Sequence, residues 1–226
     1  MEPHNFQALD LVTFKQMDYY TVEKYHLPIE LMMENAGLHL ANLVASRLIN
    51  KEQNIFIGVG NGNNGGGGMV AARRLKAWGY QVYIKPFAAI AKELPLRQWD
   101  RALKFGVVQG IPDHIDIWVD AYLGFSQRLP LRNDLINIVK EANENQALKV
   151  SLDIPTGFDG DPDIIYFKAD IVLTLAYPKT ILKKLPLQVD IYVDDLGIPK
   201  SVYEKFGVTI PEFQNQNILK LESEAE

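Results

Sequence analysis

Residues 54–68 read NIFIGVGNGNNGGGG, an apolar run that breaks into a glycine-rich segment. The residues that follow, MVAARRLKAW, are helix formers with apolar positions at helical spacing, so the pattern predicts a buried strand, a glycine-rich turn and a helix. Such a turn directs backbone N–H groups and the positive end of a helix dipole at one point, which suits an anion or a polar ligand. A packing role is the alternative, but one or two glycines would be enough for it. The four glycines together with Asn63 and Asn64 favour a binding loop.

Apolar segments of strand length recur along the chain and alternate with helical segments. Strands are predicted at residues 54–60, 81–87, 104–109, 115–122, 148–154, 170–176 and 188–195, and the first two helices at 9–25 and 30–50. This alternation predicts an α/β fold with a mainly parallel sheet that is covered on both faces. The last nine residues, ILKLESEAE, are expected to be loosely held.

The composition narrows the classes of function. A length of 226 residues suits one α/β domain, and a net charge of -5 gives no general attraction to nucleic acid or to an anionic membrane surface. The chain contains no cysteine, which excludes disulfides and thiolate chemistry. No secretory signal or membrane-spanning stretch is evident, so we expect a cytoplasmic protein without nucleic-acid or membrane partners.

Two carboxylates are predicted at strand ends. Asp120 ends the segment IDIWVD and Asp153 ends KVSLD, and the carboxyl ends of parallel strands meet at one edge of a sheet. A carboxylate at this edge suits general acid/base work, although a cap that holds the turn is the alternative for an isolated Asp. Oxygen ligands from Asp120, an Asn side chain and Thr156 would fit an alkali or alkaline-earth cation better than zinc.

Two common nucleotide-binding motifs are disfavoured. Gly60, Gly62 and Gly65 spell G-x-G-x-x-G between a strand and a helix, but the second predicted strand ends near Lys85 and Pro86 instead of an acid for a ribose hydroxyl. No Gly-Lys-Ser/Thr follows the glycines either, so the segment is not a P-loop. A standard NAD-dependent dehydrogenase and a P-loop enzyme are therefore not expected.

The segment GNGNNGGGGMVAARRL resembles the signature G-P-G-N-N-G-G-D-G-L-V-A-A-R-H-L of the NAD(P)H-hydrate epimerases, the YjeF N-terminal domain family. LMMENAG, VDAYLGFS, SLDIPTGFDGD and LAYPK are similar to further family segments in the same order. The resemblance implies one domain over residues 1–226 with a three-layer α/β/α Rossmann-like fold. It also implies a homodimer that interconverts the R and S forms of hydrated NADH or NADPH, with the dehydratase on a separate chain.

The resemblance also assigns roles to positions. Substrate-binding residues are implied at Asn63, Asn64, Gly65, Gly66, Gly67, Gly124, Phe125, Ser126, Gln127, Arg128, Leu129, Pro130 and Asp153. Potassium ligands are implied at Asn64, Asp120 and Thr156, and Asp153 is the expected acid/base residue.

One position departs from the family pattern. The family's G-G-D-G has become a run of glycines, so Gly67 stands where an acid is expected. The sequence therefore leaves two hypotheses: an active epimerase, or a catalytically impaired member that serves as a nucleotide-binding or dimeric interaction module. The retained polar residues at the strand ends favour the enzyme, whereas Gly67 favours the impaired member.

Overall fold

The computed structural model describes residues 4–161, 163–213 and 216–221. The strands in this part of the chain are β1 (Asn54–Val59), β2 (Gln81–Pro86), β3 (Val108–Gln109), β4 (Ile117–Ala121), β5 (Leu148–Leu152), β6 (Ile171–Leu175), β7 (Asp190–Asp194) and β8 (Ile218–Lys220). The α-helices are α1 (Leu11–Tyr25), α2 (Ile29–Ala45), α3 (Asn63–Ala77), α4 (Glu93–Lys104), α5 (Asn133–Glu144) and α6 (Lys200–Lys205).

The strands form one sheet in the order β3-β2-β1-β4-β5-β6-β7-β8. All neighbouring strands are parallel except β7 and β8, which are antiparallel. The order reverses between β1 and β4, and such a switch point is where open α/β sheets bind ligands outside the carboxyl ends of their strands. The expected α/β fold with a mainly parallel sheet is confirmed.

Helices cover both faces of the sheet because the buried strands are apolar on both sides. On one face, Val44 of α2, Leu75 of α3 and Ala102 of α4 pack with Ile57 of β1. On the other face, α5 packs against the sheet through Val139. A third cluster joins α1, α2 and α6 at the end of the sheet where the candidate site lies. The three-layer α/β/α arrangement is therefore as expected.

Three details of the predicted elements were wrong. The four glycines at positions 65–68 lie inside the first turns of α3, and the turn itself is shorter, because α3 begins at Asn63. Of the strand predicted at 104–109 only β3 forms, since α4 runs to Lys104 and Gly106 turns the chain at φ +86°. Part of the predicted loose tail is strand β8, which pairs with β7, whereas residues 222–226 lie outside the described residues.

Across the described part of the chain, no helix is both long and apolar enough to cross a lipid bilayer.

Candidate active site

A cavity of about 330 Å³ lies at the carboxyl edge of the sheet, beside the switch point. We call it the inner cavity. Its walls come from α1, α2, the start of α3 and the segments that follow β4 and β5. The predicted substrate residues that line it are Asn63, Asn64, Gly67, Gly124, Phe125, Ser126, Gln127 and Asp153. The fold thus brings segments from distant parts of the sequence to one concave site.

A second cavity, which we call the outer groove, adjoins the inner cavity and has a volume of about 910 Å³. The two share Phe125, Ser126 and Gln127 as lining residues, so they are continuous. The side chains that line the outer groove include four basic residues, Lys15, Lys92, Arg128 and Arg132, and no described lining residue is acidic. A chain with an overall net charge of -5 therefore concentrates positive charge at this groove.

The remaining predicted substrate residues lie elsewhere. Arg128 and Pro130 line the outer groove, and Leu129 is exposed and lines neither cavity. Gly65 and Gly66 also line neither cavity, because they face inward where α3 packs. A Cβ at Gly65 would lie 1.9 Å from the carbonyl oxygen of Gly60, so a glycine is required there for packing.

Asp153 is held in place from several directions. It follows β5 with a left-handed φ of 73°, a conformation that Asp tolerates better than most residues and that often occurs at functional sites. Its Oδ2 accepts a hydrogen bond from the backbone N–H of Phe125 at 2.7 Å, and its Oδ1 accepts one from Lys179 Nζ at 2.7 Å. The carboxylate is 1% exposed yet lines the inner cavity, so its orientation is fixed before any ligand binds.

Lys179 is the buried partner of Asp153, and the sequence assignment did not include it. Its side chain is fully buried, donates to Thr174 and to the carbonyl of Leu175, and lies 3.7 Å from the centre of the Phe14 ring. Burial lowers the pKa of Lys179, whereas the neighbouring carboxylate of Asp153 opposes that shift. The signal was present in the sequence, because Lys179 ends the segment LAYPK that resembles a family segment.

The three predicted potassium ligands lie near one another at the inner cavity, where Asn64 and Thr156 both bond to Leu123 and Thr156 also bonds to Asp120. The hydroxyl of Thr156 donates to Asp120 Oδ1 at 2.6 Å, and it accepts a bond from the N–H of Leu123 at 3.2 Å. The side-chain amide of Asn64 donates to the carbonyl oxygens of Leu123 and Leu152 at 2.7 and 3.1 Å. Carboxylate, hydroxyl and carbonyl oxygens are therefore concentrated within one small region.

Asp120 is fully buried and accepts four hydrogen bonds. Its partners are the hydroxyls of Ser151 and Thr156 and the backbone N–H groups of Thr156 and Tyr122. Burial raises the pKa of Asp120 to about 6, although these hydrogen bonds act in the opposite direction. Asp120 is thus a structural acceptor for the β4 and β5 loops as well as a candidate ligand.

The donor set fits a hard alkali or alkaline-earth cation better than a transition metal. The side-chain oxygen of Asn64 is buried and has no hydrogen-bond partner among the described residues, as expected for an oxygen that a cation would satisfy. Within the same residues, no group of three His, Cys, Asp or Glu side chains could hold a metal. The chemistry available is therefore oxygen coordination by one carboxylate and neutral groups.

Gly67 differs from its neighbours in α3. A Cβ at Gly66 would lie 2.5 Å from Met33 Sδ, and one at Gly68 would lie 2.5 Å from the Cβ of Ala121. At Gly67 the nearest atoms are Leu152 Cδ2 at 3.1 Å and Ala36 Cβ at 3.9 Å. Gly67 lines the inner cavity, and a Cβ there would require only a small movement of the Leu152 side chain, whereas Gly66 and Gly68 leave no room for one.

This doubly wound sheet, with its concave polar site at the switch point, defines a small-ligand-binding α/β protein. The chain belongs to the family of YjeF-related protein N-termini, whose family model matches residues 29–181. It is 33% identical over 215 residues to an NAD(P)H-hydrate epimerase of Rhodopirellula baltica, and the match covers 86% of each chain. The resemblance noted in the sequence is thereby confirmed.

Two further similarities extend the comparison. The chain is 38% identical over 187 residues to a bifunctional NAD(P)H-hydrate repair enzyme, Nnr, of Archaeoglobus fulgidus, where the match covers 79% of this chain and 39% of the relative. The fold also matches the crystal structure of yeast ynu0 with a TM-score of 0.87 at 26% identity. That match covers 96% of this chain and all of the yeast chain.

Proposed function

We propose that this protein is an NAD(P)H-hydrate epimerase, an isomerase that interconverts the R and S forms of hydrated NADH or NADPH. The single observation that carries the proposal is the inner cavity, which places the start of α3, the loop after β4 and Asp153 around one space. The family relationship supplies the class of substrate. On this proposal residues 1–226 act as one domain of the YjeF N-terminal type.

The two cavities match the two chemical parts of such a substrate. The hydrated nicotinamide ring is small and largely uncharged, and it would occupy the inner cavity beside Asp153. The pyrophosphate would lie in the outer groove, where Lys92 and Arg128 supply positive charge, whereas the charge of Arg132 is paired with Asp134. The aromatic ring of Phe87 also lines this groove, 5.9 Å from the Arg132 guanidinium.

The chemistry needs proton transfer and no redox partner. C6 of the hydrated ring carries a hydroxyl next to the ring nitrogen, so loss of that hydroxyl is assisted by donation of the nitrogen lone pair. The planar centre that results can be rebuilt on either face, which exchanges R and S. We assign acid/base work to Asp153 because its carboxylate is rigidly held and borders the cavity.

We also propose that the site holds a potassium ion through Asn64, Asp120 and Thr156. The buried and unpartnered oxygen of Asn64 supports this proposal. When bound, the ion would supply a fixed positive charge that stabilises the loops after β4 and β5 and lowers the negative charge near the pyrophosphate. The residues themselves hold the loops together through the hydrogen bonds of Asp120.

The biological setting follows from the same assignment. We propose a cytoplasmic homodimer that takes part in the repair of damaged nicotinamide nucleotides together with an NAD(P)H-hydrate dehydratase. Support for the dehydratase partner comes from the relative in Archaeoglobus fulgidus, which is named as a bifunctional repair enzyme.

The proposed activity is tested in an assay coupled to a dehydratase. The protein is mixed with R-configured NADPH hydrate and an S-specific dehydratase, and the recovery of NADPH is followed by its absorbance. We expect recovery faster than spontaneous epimerisation allows. No acceleration would reject the enzyme and would favour the impaired, nucleotide-binding member; activity gained in Gly67→Asp would then identify Gly67 as the cause.

A further inference from the structure

A second carboxyl borders the inner cavity, and the acid/base role assigned to Asp153 gives it no function. Asp18 lies on α1 and lines the cavity. It is one helical turn beyond Phe14, whose ring packs against the Lys179 ammonium at 3.7 Å and against the ring of Phe125 at 5.1 Å. This face of α1 therefore lies over the Asp153–Lys179 pair, and Asp18 and Asp153 belong to different walls of the same space.

The two carboxyls have opposite environments. Asp153 receives hydrogen bonds from the Lys179 ammonium and from the Phe125 N–H, so both of its carboxyl oxygens are held by protein donors. Asp18 has neither a hydrogen bond nor an ion pair with any residue in the described ranges. Burial raises the pKa of Asp18, Lys179 opposes this shift, and the charge of Asp153 adds to it. One carboxyl is held by two donors and the other borders the same cavity without a hydrogen bond from a described residue, so the two can take different roles in proton transfer.

We propose that Asp18 is a catalytic residue, the general acid that protonates the departing hydroxyl while Asp153 acts as the base. The inference rests on the proposed function and deepens it. The Asp18 proton moves to the hydroxyl oxygen at C6, the C6–O bond breaks with its electron pair on the leaving water, and the ring nitrogen forms a double bond to C6. Water then adds to the opposite face, the double bond returns its pair to nitrogen, and Asp153 accepts the proton of the added water.

This step consumes no oxidant or reductant. One turnover moves one proton from Asp18 to Asp153, and exchange with solvent water restores both groups. If Asp18 supplies the proton, the site does not need the acid that the family pattern has at position 67, where this chain has glycine. The other ionisable groups around Asp18 are Lys179, together with the cavity-lining Lys15, Lys92, Tyr19 and Tyr122.

Asp18→Asn is the direct test, with Glu23→Gln as a matched control, since Glu23 is an exposed acid on the same helix. We expect Asp18→Asn to lower kcat by at least about a hundredfold, whereas the Kd for the hydrated nucleotide changes by less than about threefold. The wild-type kcat should fall as the pH rises and Asp18 ionises, and this fall should be absent from the variant. Asp18→Glu, which keeps the acid, should recover part of the activity.

The outcomes separate the two proposals. If the wild type accelerates epimerisation and Asp18→Asn does so equally, the role of Asp18 is overturned and the proposed function stands. If the wild type gives no acceleration, both are overturned. Should Asp18→Asn fail to fold, Asp18→Ser takes its place: a kcat and a pH profile equal to those of the wild type in that variant, which has no carboxyl, would contradict an acid at this position.

Discussion

The Nζ of Lys179 lies 2.7 Å from Oδ1 of Asp153, and both side chains are almost completely shielded from solvent. Each charge would be costly to bury alone, so each depends on the other. The pair also joins the end of β5 to the segment after β6, which fixes the position of Asp153 relative to the cavity. Lys179 lines neither described cavity, so the role that we propose for it is to position Asp153.

The first prediction concerns this pair. Asp153→Asn should lower kcat by at least about a hundredfold, because the variant has no basic carboxylate at the cavity. It should also lower the free energy of unfolding by about 3 to 5 kcal/mol, since Lys179 is left buried without a counter-charge. Coupled assays and urea denaturation measure the two effects.

The double variant Asp153→Asn, Lys179→Met is the control. Removing both charges should restore part of the lost stability but none of the activity. A fully active Asp153→Asn would remove Asp153 from the catalytic role, whatever its stability.

The second prediction tests the potassium site through Thr156. Thr156→Ser keeps the hydroxyl that donates to Asp120, so its activity and potassium response should stay within about threefold of the wild type. Thr156→Val loses this oxygen, and its half-saturating potassium concentration should rise by at least about tenfold. Activity is measured against potassium chloride at constant ionic strength with tetramethylammonium chloride. An identical potassium response of the two variants would contradict the assignment.

The third prediction compares two adjacent glycines of α3. Gly67→Ala should change the free energy of unfolding by less than about 1 kcal/mol, because the added Cβ meets only a Leu152 methyl group at 3.1 Å beside a cavity. Gly68→Ala should destabilise by about 1 to 3 kcal/mol, because its Cβ would lie 2.5 Å from that of Ala121. Thermal and chemical denaturation distinguish them, and equal losses would show that the space at position 67 is not usable.

The fourth prediction concerns pH and Asp194, which bonds to His39 on α2. Burial raises the pKa of Asp194 from 3.8 to about 6, against the effect of His39, so the folded state binds this proton more tightly than the unfolded state does. The stability from this group is complete below pH 4 and is lost as the pH rises through 6. The loss is up to about 3 kcal/mol.

Denaturation of Asp194→Asn between pH 4 and pH 7 measures this effect. The stability of the variant relative to the wild type should improve as the pH rises. Asp190→Asn, which changes a more exposed carboxyl on the same strand, is the control and should follow the wild type. The charges of Lys179 and Asp195 also affect the pKa of Asp194. If Asp194→Asn keeps the pH dependence of the wild type, a group other than Asp194 causes it.

The sequence was sufficient to predict the parallel sheet and the edge of the sheet at which the polar candidate residues lie. Asp120 and Asp153 could be placed there because parallel strands alternate with helices and end in polar residues. The glycine segment was harder to interpret, since a helix that begins with glycines has the same local composition as a turn. Its close contacts with Met33 and Ala121 come from other elements, and no local pattern contains them.

Lys179 and Asp18 were not assigned from the sequence for a similar reason, since their contacts come from distant parts of the chain. Lys179 and Asp18 are separated from Asp153 by 26 and 135 positions along the chain, so only the folded arrangement shows that they share a site. The segment LAYPK marks Lys179 in the sequence, but its counter-charge Asp153 follows a different strand, so only the structure shows that the two form a buried pair.

The packing of α3 limits how this site can change. Side chains cannot be added at Gly65 or Gly68 without displacing the backbone of Gly60 or the sheet, and at Gly37 the facing helix leaves no space either. Position 67 is the exception. Within the glycine run of α3, a single substitution at position 67 would bring a new functional group to the wall of the cavity with little movement of the scaffold, so the chemistry of this site can change there at a small cost in packing.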